Sequence, residues 1–290
     1  MLDQITPLIL TYNEAPNIQR NLRQLSWARD IVLVDSFSTD ETLALVQEFR
    51  QVRTFQRVFD THQQQWNFAL EHTAIKTPWV LALDADYILT DELIEELDQL
   101  RPEFGVSGYD ASFVYCYEGK RLRSGVYPSV TVLYRRAGAK YEQDGHTQRL
   151  RVAGEVQHLC APILHDDRKP LSRWLNSQIR YAELEARKLL TVESASLSFT
   201  DRLRKRAIVA PAAMMFYCLF IRGGIFDGWA GLHYAFERTI AEAMLSLYLI
   251  GHRLMFRISE HSTQWQNTRY RNAVASGLLA EHAIRDKTIE

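Results

Sequence analysis

The residues from Val80 to Glu92 read VLALDADYILTDE. The apolar run from Trp79 to Leu83 is the pattern of a central parallel strand covered on both faces. Asp84 and Asp86 therefore fall at its carboxyl end, the edge of an open α/β sheet where loops diverge around a crevice and ligands bind. With one residue between them, the two carboxylates point the same way wherever the backbone stays extended. Held that close they repel, and each raises the other's pKa unless a cation sits between them. Mg²⁺ or Mn²⁺ suits such oxygens, taking one or two carboxylates and completing its shell with substrate phosphate oxygens. A plainer reading also fits: either aspartate could cap the helix that follows or line a solvated turn.

Upstream, strand-like and helix-like segments alternate as in βαβ units. A strand over Ile5 to Thr11 precedes a helix with Ile18, Leu22 and Leu25 on one face, for which Asn13 is a plausible cap. IVLVDS ends at Asp35 before a helix capped by Thr39 or Asp40, and VRTFQRVF and QQQWNFALEHT supply a third strand and its helix. Thr11, Asn13, Glu14, Asp35 and Asp40 thus join the aspartate pair on one sheet edge, with Tyr12 available to stack on a base. For any single one of them, capping fits as well as ligand contact.

At 290 residues with 47% hydrophobic and 24% charged content, the chain can bury one large α/β domain, alone or with an appendage. A formal net charge of -1 supplies no basic field for nucleic acid. Cys116, Cys160 and Cys218 form no CxxC pair, which fits a reducing, cytoplasmic compartment and suggests neither a disulfide framework nor a zinc site. The first residues lack the pattern of a signal peptide, so the chain is expected to begin directly with the fold. From Gly108 to Ile163 aromatic, β-branched and Gly residues predict shorter, antiparallel strands. A long helix over LSRWLNSQIRYAELEARKLL follows, then RLRKR at Arg202–Arg206 and the apolar run AIVAPAAMMFYCLFI, which is too short to span a bilayer. Basic residues before an apolar run suit an anionic membrane surface; a helical hairpin over the sheet or a homodimer interface fits equally.

LTYNEAPNI, IVLVDSFSTDET, QQQWNFAL and WVLALDADYILTDEL, in this order and spacing, resemble family 2 glycosyltransferases of the GT-A fold. DGHTQRL, ILHDDR, RWLNSQIRYAELEA and GGIFDGWAGL extend the resemblance toward lipopolysaccharide core glucosyltransferase-like enzymes. The resemblance implies a Rossmann-like α/β nucleotide-diphospho-sugar transferase with a mainly parallel sheet in residues 1–195 and a helical extension in 196–290. It places Thr11, Tyr12 and Glu14 around the nucleoside, Asp35 near the uracil or ribose, Asn67 near the donor, and Asp84 near the ribose and phosphate. Asp86 would be the principal metal ligand, with His165 approaching the metal or diphosphate. Relatives carry a His-Glu pair whose glutamate is the presumed base; here His146 is followed by Thr147, and Asp144 replaces it as the candidate, with Glu142 behind it. Gln178, Arg180 and Tyr181 depart from the processive Gln-x-x-Arg-Trp signature, against polymerisation.

The expected reaction is an inverting, metal-dependent transfer from a UDP-sugar to a saccharide or glycolipid hydroxyl, in envelope or lipopolysaccharide synthesis on the cytoplasmic face of the inner membrane. A polyprenyl-phosphate acceptor and a non-catalytic membrane-associated scaffold are the alternatives. A nucleotidyltransferase would need a glycine- and lysine-rich phosphate loop, which LTYNEAPNI does not provide.

Overall fold

The structure is a computed structural model that describes residues 1–144, 147–193 and 195–275. Four parallel strands form its centre: β1 (Ile5–Thr11), β2 (Ile31–Asp35), β3 (Val52–Gln56) and β4 (Trp79–Asp84). Helices α1 (Ile18–Gln24), α2 (Thr42–Val46) and α3 (His62–His72) connect them in turn. After β4 come the short strand β5 (Tyr87–Leu89), helix α4 (Asp91–Gln99), β6 (Val106–Ala111), β7 (Phe113–Tyr117), β8 (Lys120–Arg121) and β9 (Val130–Arg135). A hairpin of β10 (Lys140–Asp144) and β11 (Thr147–Arg151), then β12 (Glu155–His158) and β13 (Ile163–His165), complete the strands.

The main sheet runs β12-β6-β9-β4-β1-β2-β3, parallel from β4 to β3 and antiparallel where β9 meets β4 and β6. A second sheet, β5-β13-β7-β8, stands beside the end of β4. The predicted mainly parallel centre is present, and the middle third is mixed: β9 against β6 and the β10–β11 hairpin are antiparallel as expected, whereas β12 runs parallel to β6 and β13 parallel to β7.

Side-chain alternation divides the core. Ile9, Leu33, Leu81 and Leu83 pack with Ile18 and Leu22 of α1 and Leu93 and Leu97 of α4 on one face. Leu8, Val32, Val34 and Val80 pack with Trp66, Ala69 and Leu70 of α3 on the other. Each such fully buried side chain contributes about 1.5–3 kcal/mol, so register is fixed from both faces.

Two helix starts differ from the sequence expectation. Asn13 does not cap α1: it sits at φ 55°, and its side-chain oxygen accepts the backbone N–H of Thr39 at 2.6 Å and of Asp40 at 3.3 Å, tying the first loop to the second. The α4 cap is Thr90, whose Oγ1 accepts the Leu93 N–H at 3.2 Å. Asp84 and Asp86 are thereby relieved of the capping role.

The remaining helices are α5 (Leu171–Thr191), α6 (Phe199–Arg204), α7 (Val209–Phe216) and α8 (Trp229–Ala275), with a π-helical segment over Tyr217–Ile221. Ala182, Ala186 and Leu189 of α5 share a core with Leu245 and Leu249 of α8. The apolar face of α5 is spent on α8. Asp227 fastens this layer to the sheets by accepting the N–H groups of Arg123 at 2.8 Å and Ser124 at 3.2 Å. Among the described residues no helix is long and apolar enough to cross a membrane.

Candidate active site

Thr11 and Asp35 are register partners at the ends of β1 and β2, which brings their side chains together. Thr11 Oγ1 donates to Asp35 Oδ1 at 3.0 Å, and Asp35 also accepts the Ser38 N–H at 2.8 Å. Both residues are buried. Tyr12 is half-exposed beside them, with the Arg173 guanidinium 5.5 Å from its ring centroid. Arg173, from the first turn of α5, also donates to the carbonyl oxygens of Tyr12 and Asn13. An aromatic face with a cation over it, at the carboxyl edge of a parallel sheet, is chemically suited to a nucleobase.

The acidic cluster lies at the end of β4. Asp84 closes the strand and Asp86 sits in the turn before β5. Asp86 Oδ2 is 3.4 Å from His165 Nε2 at the end of β13, and 3.6 Å from Lys169 Nζ. Lys169 is also 2.8 Å from Glu14 Oε1 and 3.3 Å from Asp167 Oδ2. The loop from His165 to Lys169 is clamped to α1. Arg20 reaches Asp166 Oδ2 at 2.6 Å, and Asn17 Nδ2 donates to both Glu14 and Asp167 at 2.9 Å. Tyr87, Tyr115 and Tyr127 pack their rings around the His165 imidazole, with centroids 4.9–5.4 Å away.

Charge is out of balance here. Four carboxylates, Glu14, Asp84, Asp86 and Asp167, face the Lys169 ammonium and the His165 imidazole. Burial and then the neighbouring Asp86 raise Asp84 to about 6. Burial likewise lifts Glu14 to about 7 against the pull of Lys169. Burial would push Asp86 upward too, but His165 and Lys169 hold it well below the usual carboxylate range. His165 is lowered by burial and raised more by Asp86, with a net upward shift. Asp86 is therefore the carboxylate whose charged form its surroundings favour, while Asp84 and Glu14 are pushed toward their neutral forms.

Asp86 Oδ1 and His165 Nδ1 are buried without hydrogen-bond partners. A buried carboxylate oxygen with no partner in the protein is chemically able to ligate a cation. Among the described residues no group of three or more His, Cys, Asp or Glu is placed to hold a metal ion together. Asp86 and His165 nevertheless fit a divalent cation that keeps most of its shell for diphosphate oxygens and water.

The structure thus brings Glu14, Asp84, Asp86 and His165 together, with Thr11, Tyr12 and Asp35 on the adjoining strand ends. Asn67 is engaged with β10, the strand after β9 of the main sheet. Its Oδ1 accepts the Tyr141 N–H at 2.9 Å and its Nδ2 donates to the Tyr141 carbonyl at 3.0 Å, so both ends of the amide hold the β10–β11 hairpin. Asp144 ends β10, but its side chain, together with Gly145 and His146, lies outside the described residues. Sequence reasoning missed Lys169, Asp167, Asn17 and Arg173. The run Asp166-Asp167-Arg168-Lys169 advertised charge beside His165, yet nothing local said which charge turns inward.

The Tyr12 ring with the Arg173 guanidinium beside it and the acidic cluster after β4 thus lie on the carboxyl edge of one parallel sheet, the ligand-binding edge of open α/β proteins. The chain belongs to glycosyl transferase family 2, whose profile matches residues 8–163, and it has the GT-A fold. It is 33% identical over 100 residues to the lipopolysaccharide core biosynthesis glycosyltransferase LpsC of Rhizobium meliloti (strain 1021), covering 33% of this chain and 36% of that one. It is 32% identical over 98 residues to an uncharacterized glycosyltransferase of Rickettsia bellii (strain RML369-C), covering 33% and 32% respectively. These matches span about a third of each relative. Residues 1–349 of S. aureus TarS, solved in complex with UDP-GlcNAc, align over 87% of this chain and 92% of that chain at 15% identity and a TM-score of 0.43.

Proposed function

We propose that this chain is an inverting, metal-dependent glycosyltransferase that moves a hexose from a nucleotide-diphosphate sugar of the UDP type to a hydroxyl of a saccharide or lipid-linked saccharide in envelope synthesis. The observation that carries the reading is the buried, partnerless Asp86 Oδ1 beside His165, in a cluster with more carboxylates than cations. Membership of the family and the sheet-edge location support it.

Tyr12, with Arg173 over its ring, stacks the base, and Asp35, held by Thr11 and Ser38, borders the nucleoside. Asp84 borders the ribose and phosphate. Asp86 and His165 would hold a Mn²⁺ or Mg²⁺, which would supply Lewis-acid neutralisation of charge on the departing diphosphate. A base, for which Asp144 is the candidate, takes the acceptor hydroxyl proton as that oxygen bonds to the anomeric carbon. The bond from that carbon to the diphosphate oxygen breaks, and its electron pair leaves with the nucleotide.

The acceptor is proposed to be met at a membrane surface, on the cytoplasmic face. Phe216, Phe220, Ile221, Ile225, Phe226 and Trp229 are all exposed in one segment, and Arg202, Arg206 and Arg222 are exposed nearby in the chain. Arg123 lies 6.0 Å from the Phe226 ring centroid. Apolar aromatics with arginines suit anionic headgroups over a shallow apolar layer.

A thermal-shift panel of uridine, guanosine and thymidine diphosphates, each with and without Mn²⁺, tests the reading. UDP with Mn²⁺ is expected to stabilise the protein beyond either alone. Absence of a shift with every nucleotide, in both conditions, would remove the proposal.

A further inference from the structure

We infer that Lys169 is a resident counter-ion of the acidic site, holding the position of positive charge until a divalent cation arrives together with the donor diphosphate. Metal and nucleotide then bind as a coupled pair, and metal alone binds weakly. The inference rests on the glycosyltransferase reading above.

Lys169 Nζ is within 2.8 Å of Glu14, 3.3 Å of Asp167 and 3.6 Å of Asp86, three carboxylates from three parts of the chain. Its side chain is only 16% exposed. A lysine usually keeps its ammonium in water, so this burial needs the surrounding anions. Its placement is imposed from outside the residue: Arg168 N–H donates to Asn17 Oδ1 at 3.0 Å, Lys169 N–H to Asp167 Oδ1 at 3.0 Å, and Arg20 pins Asp166. The ammonium and His165 both face Asp86 Oδ2, leaving Oδ1 without a partner. A divalent ion on Asp86 would therefore meet a fixed positive charge sharing the same carboxylate. Repulsion from an ammonium 3.6 Å from Asp86 offsets part of the attraction that the surrounding carboxylates exert on bare metal. A diphosphate supplies the anionic oxygens that let both cations stay, with Lys169 still tethered by Glu14 and Asp167. Reciprocal coupling between metal and nucleotide follows.

Calorimetric titration of the whole protein with MnCl₂ alone, UDP alone, and MnCl₂ in saturating UDP tests this. Wild type is expected to bind Mn²⁺ at least tenfold more weakly without UDP than with it. Lys169→Met should strengthen binding of Mn²⁺ alone by at least tenfold and remove most of the coupling, while Lys169→Arg should behave as wild type. Because Lys169→Met strands Glu14, a Lys169→Met/Glu14→Gln double variant, checked for folding by circular dichroism, should show the same gain. Wild-type affinity for Mn²⁺ alone in both charge-removing variants, with Mn²⁺ and UDP still binding together, overturns the role of Lys169 and leaves the enzyme reading standing. Failure of every protein to bind Mn²⁺ or UDP in any combination overturns both.

Discussion

His165 Nε2 lies 3.4 Å from Asp86 Oδ2, joining the end of β13 to the turn after β4 across seventy-nine positions of chain. The pair sits where a buried anion has one oxygen engaged and the other without a partner. Asp86→Asn keeps the shape and removes the charge. Turnover is expected to fall by about 10²–10³-fold, the scale seen when one element of transition-state charge stabilisation is lost. Unchanged circular dichroism and wild-type sugar transfer in that variant would together dismiss Asp86 as the metal ligand.

Thr11 and Asp35 make the corresponding link between the ends of β1 and β2. Thr11→Val removes a buried donor to a carboxylate while keeping the volume, and urea denaturation should show a loss of about 1.5–3 kcal/mol. Because Asp35 retains the Ser38 N–H, the fold itself should survive.

Glu14 gives a pH prediction for the protein free of metal and nucleotide. Its carboxyl is raised in the fold from 4.5 to about 7, with burial as the main cause. A raised carboxyl favours the protonated folded state. Its contribution to stability is therefore complete below 4.5 and is lost as pH climbs through about 7. Glu14→Gln should flatten this part of the stability profile, by an amount on the order of 1–3 kcal/mol. Thermal melts of both proteins from pH 4 to pH 8 compare the slopes directly, and parallel profiles would contradict the assignment.

Asn67 holds the backbone of Tyr141 at both its N–H and its carbonyl. Asn67→Ala should cost about 1–3 kcal/mol and speed amide exchange at Tyr141, since two backbone groups lose their partner. UDP affinity should change less than threefold. A large loss of UDP binding with normal exchange would return Asn67 to the donor site.

Phe226 and Trp229 are 76% and 86% exposed. Replacing both with Ser should cut co-sedimentation with anionic vesicles at least tenfold, since each apolar side chain that inserts contributes on the order of 1–3 kcal/mol. Equal sedimentation of wild type and variant would argue that this face meets another protein surface, such as a second copy of the chain.

The sequence by itself determined the strands of the parallel sheet, their carboxyl-end polar residues and the pair Asp84–Asp86, because alternation and apolar runs are local properties of the chain. Trp79–Leu83 had to be a covered strand, and whatever followed it had to lie on the ligand edge. The motif resemblance, likewise read from short segments, supplied the family. Local patterns could not say that Asn13 would serve the neighbouring loop, that Thr90 would take the cap of α4, or that α5 would lie against α8, since each depends on what packs alongside. Lys169 is the sharpest case. In sequence it is one more charge after Asp166, Asp167 and Arg168, and only the docking of that loop on Asn17 and Arg20 turns its ammonium toward Glu14, 155 residues away. Tertiary structure decided the charge balance of the site because buried ion pairs are set by distance and exclusion of water, and neither is written in the spacing of residues.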